Sequence, residues 1–524
     1  MFGYFYDFII GFDTIFIKNI NHIVYNNYII YIGQQGFLSL GVENSMAFYL
    51  NSNNVLFVFL TIIIGLFVNV YTFVYMKKEP FLIYFVVLLN LFLFSMIFFL
   101  LSYTLTSLFF GWELIGLFSF LLINFWTNKV STKKAAYKAL IFNKLSDLSF
   151  LIVFIISLSF SFVDNVTSFK SIFLLSDITF IFFNRSLPLL FFYIFFLTIC
   201  CFCKSAQLGF HVWLPDSMEA PIPASALIHS ATLVSAGLYL MFLSRDLFML
   251  SGFTKFIFFW CSTTAFYGGF VSSFQTDLKK ILAYSTISHC GFLFCLIIFN
   301  LNEFFYFYFF NHGIYKSLSF IIVGLIVSSS RYQDFRRIGS FKKNYYIYKN
   351  ILATSLFNLG GLPFSIGFFS KYFLVSNINI LSFNYFSLLF LHLSCYNGFF
   401  YSLNIYNNIF NVYNKSNYIN KPSNNILFKR NIIQNIMTYV VIISVIFLTI
   451  FNVSLLITCY DVFIENDFKF INKNFFFLEF FNFIYFIFIF FYFFKLNISK
   501  LFIVFFVIFL KFIYLMDIYL SFWI

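Results

Sequence analysis

Glu113, Lys144, Asp147, Lys204, His229, Lys279, Lys280, His312, Lys316 and Lys371 stand in or against stretches otherwise built from Phe, Ile, Leu and Val. A charge at the centre of a bilayer costs about 2.5–3.5 kcal/mol on insertion scales, so an ionisable residue held inside a membrane is a candidate for function. Spacing adds to the case: Lys144 with Asp147 (i, i+3) and His312 with Lys316 (i, i+4) each share one helical face. Burial disfavours a charged lysine and a nearby carboxylate favours it. A lysine held between those influences changes charge when its neighbour does, as a proton relay requires of its members. The chemistry in view is proton transfer along a row of carboxylates, amines and imidazoles. Snorkelling at a helix end is the competing reading for Lys279, Lys280 and Lys371, and a structural ion pair is the competing reading for Lys144 with Asp147. His289 and His392 read as packing histidines.

The elements that must hold these groups are membrane helices. The 524-residue chain is 61% hydrophobic and 10% charged, with a mean hydropathy of +0.91; a soluble domain carries about 25% charged residues. Apolar runs recur at about 55–76, 81–101, 104–126, 135–158, 187–209, 223–243, 252–274, 279–299, 303–328, 348–373, 382–403, 434–458, 475–495 and 498–516. They are too long and too uniformly apolar for barrel strands, so an all-α polytopic membrane protein is expected, with about 14–16 transmembrane helices. Before them, about 2–18 and 23–40 fit short apolar helices, and 165–186 reads as a connecting stretch that could carry a short interfacial helix. Pro215, Pro221 and Pro223 preclude one continuous helix between Lys204 and His229, and Pro363 breaks the helix before Lys371. Broken membrane helices free backbone groups, and transporters place ion sites there.

Loop charge tests these spans. If the chain crosses at each run, one side collects Lys77, Lys78, Lys129, Lys133, Lys134, Arg331, Arg336, Arg337, Lys342, Lys343, Lys415, Lys421, Lys429 and Arg430. The other collects Asp164, Asp177, Asp246, Glu303, Asp461, Glu465 and Asp467, with only scattered Arg185, Arg245 and Lys255. One-sided basic loading is the positive-inside rule, so the basic side faces cytoplasm or matrix. The same rule accounts for the net charge of +13 without a nucleic-acid partner. Cys200, Cys201 and Cys203 cluster without a second pair at metal spacing and read as buried apolar thiols. There is no glycine-rich nucleotide loop and no pattern of a cleavable signal. Heavy use of Phe and Tyr suits an AT-rich genome, such as an organellar one.

Five segments carry a resemblance. They are Gly111-Trp-Glu-Leu-Ile-Gly-Leu117, Lys204-Ser-Ala-Gln-Leu208, Trp213-Leu-Pro-Asp-Ser-Met-Glu-Ala-Pro-Ile-Pro-Ala-Ser-Ala-Leu-Ile-His229, Gln275-Thr-Asp-Leu-Lys-Lys-Ile-Leu-Ala-Tyr-Ser-Thr286 and Gly367-Phe-Phe-Ser-Lys371. From about Asn54 to Tyr372 the chain resembles the antiporter-like membrane-arm subunits of respiratory complex I, NADH–ubiquinone oxidoreductase, above all the distal one. The resemblance implies two inverted five-helix antiporter-like repeats with broken helices, over about 55–250 and 251–405, after N-terminal helices in 1–54 and before C-terminal helices in 406–524. It implies roles as well. Glu113 pairs with Lys204 in the first half-channel, beside Lys144 and Asp147. His229 and either Lys279 or Lys280 link to the second, where His312 and Lys316 pass the proton to Lys371.

The implied setting is the mitochondrial inner membrane, as an organelle-encoded chain. Its partners are lipids and other membrane-arm subunits, especially the adjacent antiporter-like chain 4. No cofactor is expected on this chain; NADH, FMN, iron–sulfur clusters and ubiquinone belong elsewhere in the complex. A cation/proton antiporter subunit, or a structural subunit that has lost pumping, are the rival readings. Three departures from the family stand out. Tyr308 occupies the place of a histidine one turn before His312, Tyr372 follows Lys371 where the family has Asp, and only about 472–496 is available for a long lateral helix.

Overall fold

In the computed structural model the described residues are 28–32, 46–161, 179–182, 185–230, 232–250, 252–330, 332–338, 346–362, 365–381 and 385–410. The expected helix at 2–18, Pro363, the expected spans at 434–458, 475–495 and 498–516, and the lateral-helix stretch 472–496 lie outside them.

The expected helix at 23–40 is replaced, in its described part, by strand β1 (Tyr28–Ile32), which pairs antiparallel with β2 (Met46–Leu50). Both strands are aromatic and aliphatic runs of five residues, shorter than a stable helix needs and well suited to a hairpin. The connecting stretch likewise ends in a hairpin, β3 (Thr179–Phe182) with β4 (Arg185–Pro188), and not in an interfacial helix.

The rest is helical. Four helices come first: α1 (Ser52–Tyr75), α2 (Leu82–Leu101), α3 (Leu105–Ile123) and α4 (Val130–Ser161). Helix α5 (Leu189–Lys204) follows, then the four-residue α6 (Trp213–Asp216) and a 3-10 turn, Ser217–Glu219. Next are α7 (Ile222–Ser230), α8 (Leu233–Leu243) and α9 (Arg245–Leu250). The second part holds α10 (Thr254–Phe274), α11 (Leu278–Ile298), α12 (Asn302–Ser330), α13 (Phe335–Ile338), α14 (Tyr346–Gly360), α15 (Ile366–Leu381) and α16 (Tyr385–Phe410). Among the described residues, seven spans are long and apolar enough to cross a membrane.

Burial separates the core from the rim. The α7–α8 span and α11 are 94% buried, against 39–50% for α1 to α4, whose outer faces present Phe59, Leu66, Ile83, Phe94 and Ile141. Helix α12 packs on α1, α7, α11, α14 and α15, so it touches both halves of the described chain. Helices α10 and α11 meet through glycines: a Cβ on Gly268 would lie 2.6 Å from the Ser288 nitrogen, and one on Gly291 2.7 Å from the Cys261 carbonyl. Without a hydrophobic force between helices in lipid, such close backbone approach supplies the packing. Gly268→Val is therefore expected to cost about 1–3 kcal/mol by overpacking. The measure is the amount of assembled chain in membranes. Wild-type levels would contradict the contact, and Ser273→Ala on the outer side of the same helix serves as the control.

The interruptions differ in detail from a proline-driven reading. Helix α5 stops at Lys204, where Ala206 (φ 54°) and Gly209 (φ 89°) take left-handed conformations. Pro215 lies within α6, and Pro223 is the second residue of α7, positions where the missing N–H costs no helical hydrogen bond. Of the three prolines after Lys204, only Pro221 sits in an interruption, directly before α7. The second break falls between Gly360 and Ile366, with Gly361 at φ 75°. Outside the spans, the Arg336 guanidinium donates to the Asp334 carboxylate at 2.7–3.1 Å, and this holds that carboxyl below its usual range. Around it, Leu278 N donates to Gln333 O (3.1 Å) and Phe335 N to Thr276 O (3.2 Å), which ties this loop to the start of α11.

Candidate functional site

Lys204 closes α5 and is fully buried. Its ammonium donates to the Trp112 carbonyl at 2.7 Å and lies 4.5 Å from the centre of the Trp112 ring. The expected direct pair with Glu113 is not what forms. Among the described residues, Glu113 instead pairs with Lys144 (3.7 Å), which also holds Asp147 (3.3 Å). The reason is helical geometry: successive residues point about 100° apart. The carbonyl of Trp112 and the side chain of Glu113 therefore serve different neighbours. Asp147 is the buried member of the triad, its side chain 5% exposed, whereas Lys144 is 62% and Glu113 40% exposed on the outer face.

The 3-10 turn Ser217–Glu219 packs against both α4 and α11. Its chain is anchored to the start of α4 by a Lys138–Asp216 ion pair and by Ser131 Oγ donating to Glu219 Oε2 at 3.1 Å. Lys279 is buried, and its ammonium donates to the carbonyls of Met218 (3.3 Å) and Ala220 (3.4 Å). Lys280 points away, half-exposed, and pairs with Asp277 at 3.6 Å. Of the two lysines, Lys279 is the inward one, and it acts on backbone. Ser217 Oγ lies 3.0 Å from His229 Nε2, and His229, fully buried, stacks against Phe320 of α12 with ring centroids 6.0 Å apart.

The second centre is built by α11, α12, α14, α15 and α16. Lys316 is fully buried and donates to Ser285 Oγ at 2.6 Å. Lys371 lies beyond the break, yet its ammonium reaches back to the carbonyls of Leu359 (2.7 Å) and Gly360 (3.1 Å), the last of α14. Terminal helix carbonyls lack intrahelical donors and form the negative end of the helix dipole, so they suit a cation. Gly398 leaves the space: a Cβ there would stand 2.8 Å from the ammonium. His312 is one helical turn from Lys316, and its ring centroid is 5.0 Å from that of His289. His289 Nδ1 lies 2.7 Å from the Tyr308 hydroxyl and its Nε2 3.3 Å from the Tyr401 hydroxyl, which in turn donates to Leu359 O at 3.4 Å. A small cavity, with room for about one water molecule, is lined by His289, Tyr308, Asn311, His312, Asn358 and Lys371 among others. His312 Nε2 and Asn311 Oδ1 are buried and have no partner among the described residues.

Lys204, Lys279, Lys316 and Lys371 thus share a feature: each is buried, held by a carbonyl or hydroxyl, with no carboxylate within ion-pair distance among the described residues. Oxygen acceptors of this kind hold an ammonium without a fixed counter-charge, so the amine is free to give up its proton. Sequence reasoning missed the Trp112 and Leu359 carbonyls, which no side-chain pattern announces. It also passed over Ser285 and His289, although these are four residues apart on the face of α11 that meets α12. The side chain of Tyr372 lies outside the described residues.

Residues 102–396, which include every ionisable residue named above from Glu113 to Lys371, match the family described as NADH:quinone oxidoreductase/Mrp antiporter, transmembrane. The chain is 46% identical over 376 residues to NADH-ubiquinone oxidoreductase chain 5 of Paramecium tetraurelia, covering 70% of this chain and 65% of that protein. The same-named protein of Chondrus crispus is 34% identical over 357 residues, 68% of this chain and 54% of the relative. NADH-quinone oxidoreductase subunit L of Rickettsia bellii is 35% identical over 310 residues, 58% and 48% of the two chains. The matched stretches span between about half and two thirds of these relatives. Among solved structures, a chain of the Mrp complex from Dietzia sp. shares the fold, with TM-score 0.62 at 22% identity over 73% of this chain and 42% of that one. With the family match covering more than half of its length, the chain belongs to the NADH:quinone oxidoreductase/Mrp antiporter membrane family.

Proposed function

We propose that this chain is a proton-translocating membrane-arm subunit of respiratory complex I in the mitochondrial inner membrane, packed among other membrane-arm subunits with the antiporter-like chain 4 beside it. Electron transfer from NADH through FMN and iron–sulfur clusters to ubiquinone belongs to other subunits and drives this one at a distance. The observation that carries the reading is the set of four buried lysines, each on a neutral oxygen; Lys204, Lys316 and Lys371 are read as carriers and Lys279, held at the 3-10 turn, as its cap. In this reading Asp147 and Glu113, bridged by Lys144, set the charge of Lys204. The proton then passes toward His229 and Lys316 and on through His312 to Lys371. Lys279 holds the Ser217 turn against His229 and carries no proton itself, and Lys280 stays outside the path. Work against the membrane potential is about 2.3 kcal/mol per charge per 100 mV.

The test is Lys204→Ala and Glu113→Ala in the intact complex. Both are expected to lower coupled NADH–quinone turnover and proton pumping, Lys204→Ala the more strongly, because its site is fully buried. Wild-type pumping in both variants would remove the relay. Structural similarity to the Mrp chain favours keeping a cation/proton antiporter subunit as the second reading. Sodium-dependent proton exchange in membranes that lack the other complex I subunits would support that reading instead.

A further inference from the structure

The second centre departs from the family at Tyr308, which stands where a histidine is expected one turn before His312. A phenol in that place interrupts a row of imidazoles. The structure supplies another ring from the neighbouring helix. His289 projects from α11 with its centroid 5.0 Å from that of His312, and it is 3% exposed. Its two nitrogens are not equivalent. In the tautomer in which the Tyr401 hydroxyl donates to Leu359 O, that hydroxyl accepts from Nε2–H and Nδ1 accepts from the Tyr308 hydroxyl. Tyr401 also neighbours Ser285, the group that receives the Lys316 ammonium, and the Leu359 carbonyl is shared with Lys371. His289 thus stands between the two lysines, bonded on one edge to Tyr308 and on the other to Tyr401. It also lines the small cavity that His312, whose Nε2 is unpartnered among the described residues, and Lys371 line as well.

We propose that His289 is a second imidazole, following His312, that carries the proton between Lys316 and Lys371, displaced from position 308 to the facing helix. The inference rests on the relay reading above. The step balances without a net charge on the ring: Tyr308 gives its hydroxyl proton to Nδ1 and takes another from His312 on the cavity side, while Nε2 gives its proton to Tyr401 and Tyr401 gives its own hydroxyl proton to the neutral amine of Lys371, its neighbour on Leu359 O. The ring is left neutral in its other tautomer and resets by rotation, since reverse transfer would undo the step. Tyr308 is then a member of the relay and not a gap in it. An imidazole is suited to this because both nitrogens exchange protons near neutral pH, whereas a glutamine amide in the same space can bond to both phenols but cannot pass a proton on.

The experiment uses the assembled complex in sealed vesicles, with proton uptake and NADH oxidation measured together and oxidation by an artificial acceptor reporting the amount of assembled enzyme. His289→Gln is expected to lower proton uptake per NADH oxidised at least twofold with assembly unchanged. The double variant His289→Gln, Tyr308→His, which returns an imidazole to the other helix, is expected to regain most of that loss. Unchanged pumping in His289→Gln overturns the proposal, as does a loss that Tyr308→His fails to restore, since a packing role would not be rescued from another helix. Lys371→Ala in the same series separates the two levels. If it also pumps normally the relay reading falls, whereas if it fails while His289→Gln pumps, only the role of His289 falls.

Discussion

Lys316→Met is expected to stop proton movement through the second half of this bundle and leave the chain assembled. The lysine sits at the meeting point of the described helices, fully buried on α12, with its ammonium on Ser285 of α11. Methionine keeps the length and apolar stem and fills irregular gaps, so the packing against Phe320 and its neighbours survives. Replacing a buried charge by an apolar residue of similar volume is often neutral or stabilising. The loss is therefore chemical. A positioned acid–base group is worth on the order of a hundredfold or more in rate, so delivery to Lys371 should fall by that order. In sealed vesicles this appears as lost pumping with NADH oxidation by artificial acceptors intact. Pumping within a factor of two of wild type would show that protons bypass Lys316.

The second large effect concerns Lys279, and it points the other way. Lys279→Met removes two hydrogen bonds from an ammonium to the buried carbonyls of Met218 and Ala220. Bonds to charged groups contribute about 1.5–3 kcal/mol each, and a buried acceptor left bare carries its own desolvation penalty. At 3.3–3.4 Å these bonds lie at the weak end, so a loss of roughly 2–3 kcal/mol is expected in this turn. The 3-10 turn should loosen, Ser217 should leave His229, and coupling between the halves should drop. Lys279→Arg keeps a cation that donates to carbonyls but cannot give up its proton. If Lys279 is a cap, arginine restores most of the turnover that methionine loses. Equal failure of both variants would make Lys279 a proton carrier after all.

Hydropathy and charge determined much of this protein before any coordinates. The spans from 55 to 403 fall on observed helices, because a long apolar run in lipid has few structures open to it besides the helix. The ionisable residues were legible for the same reason: charge in apolar sequence is costly and so is noticed. What failed were features made by backbone. The run at 187–209 overshoots the end of α5, because Ala206 and Gly209 turn the chain just after Lys204. The N-terminal hairpin was read as helix because five-residue apolar strands look like fragments of a span.

The tertiary structure alone decided the partners. Glu113 and Lys204 have the composition of an ion pair, yet the fold gives Glu113 to Lys144 and gives Lys204 to a main-chain carbonyl. Which oxygen a lysine finds depends on the rotation of each helix about its axis, and that is set by packing against neighbours far along the chain. Periodicity places Ser285 and His289 on one face of α11, but only the approach of α12 and α16 brings Lys316, Tyr308 and Tyr401 to that face. Sequence thus settled which groups carry charge into the membrane. The packing of helices settled which of them meet, because carbonyl acceptors leave no mark in side-chain identity.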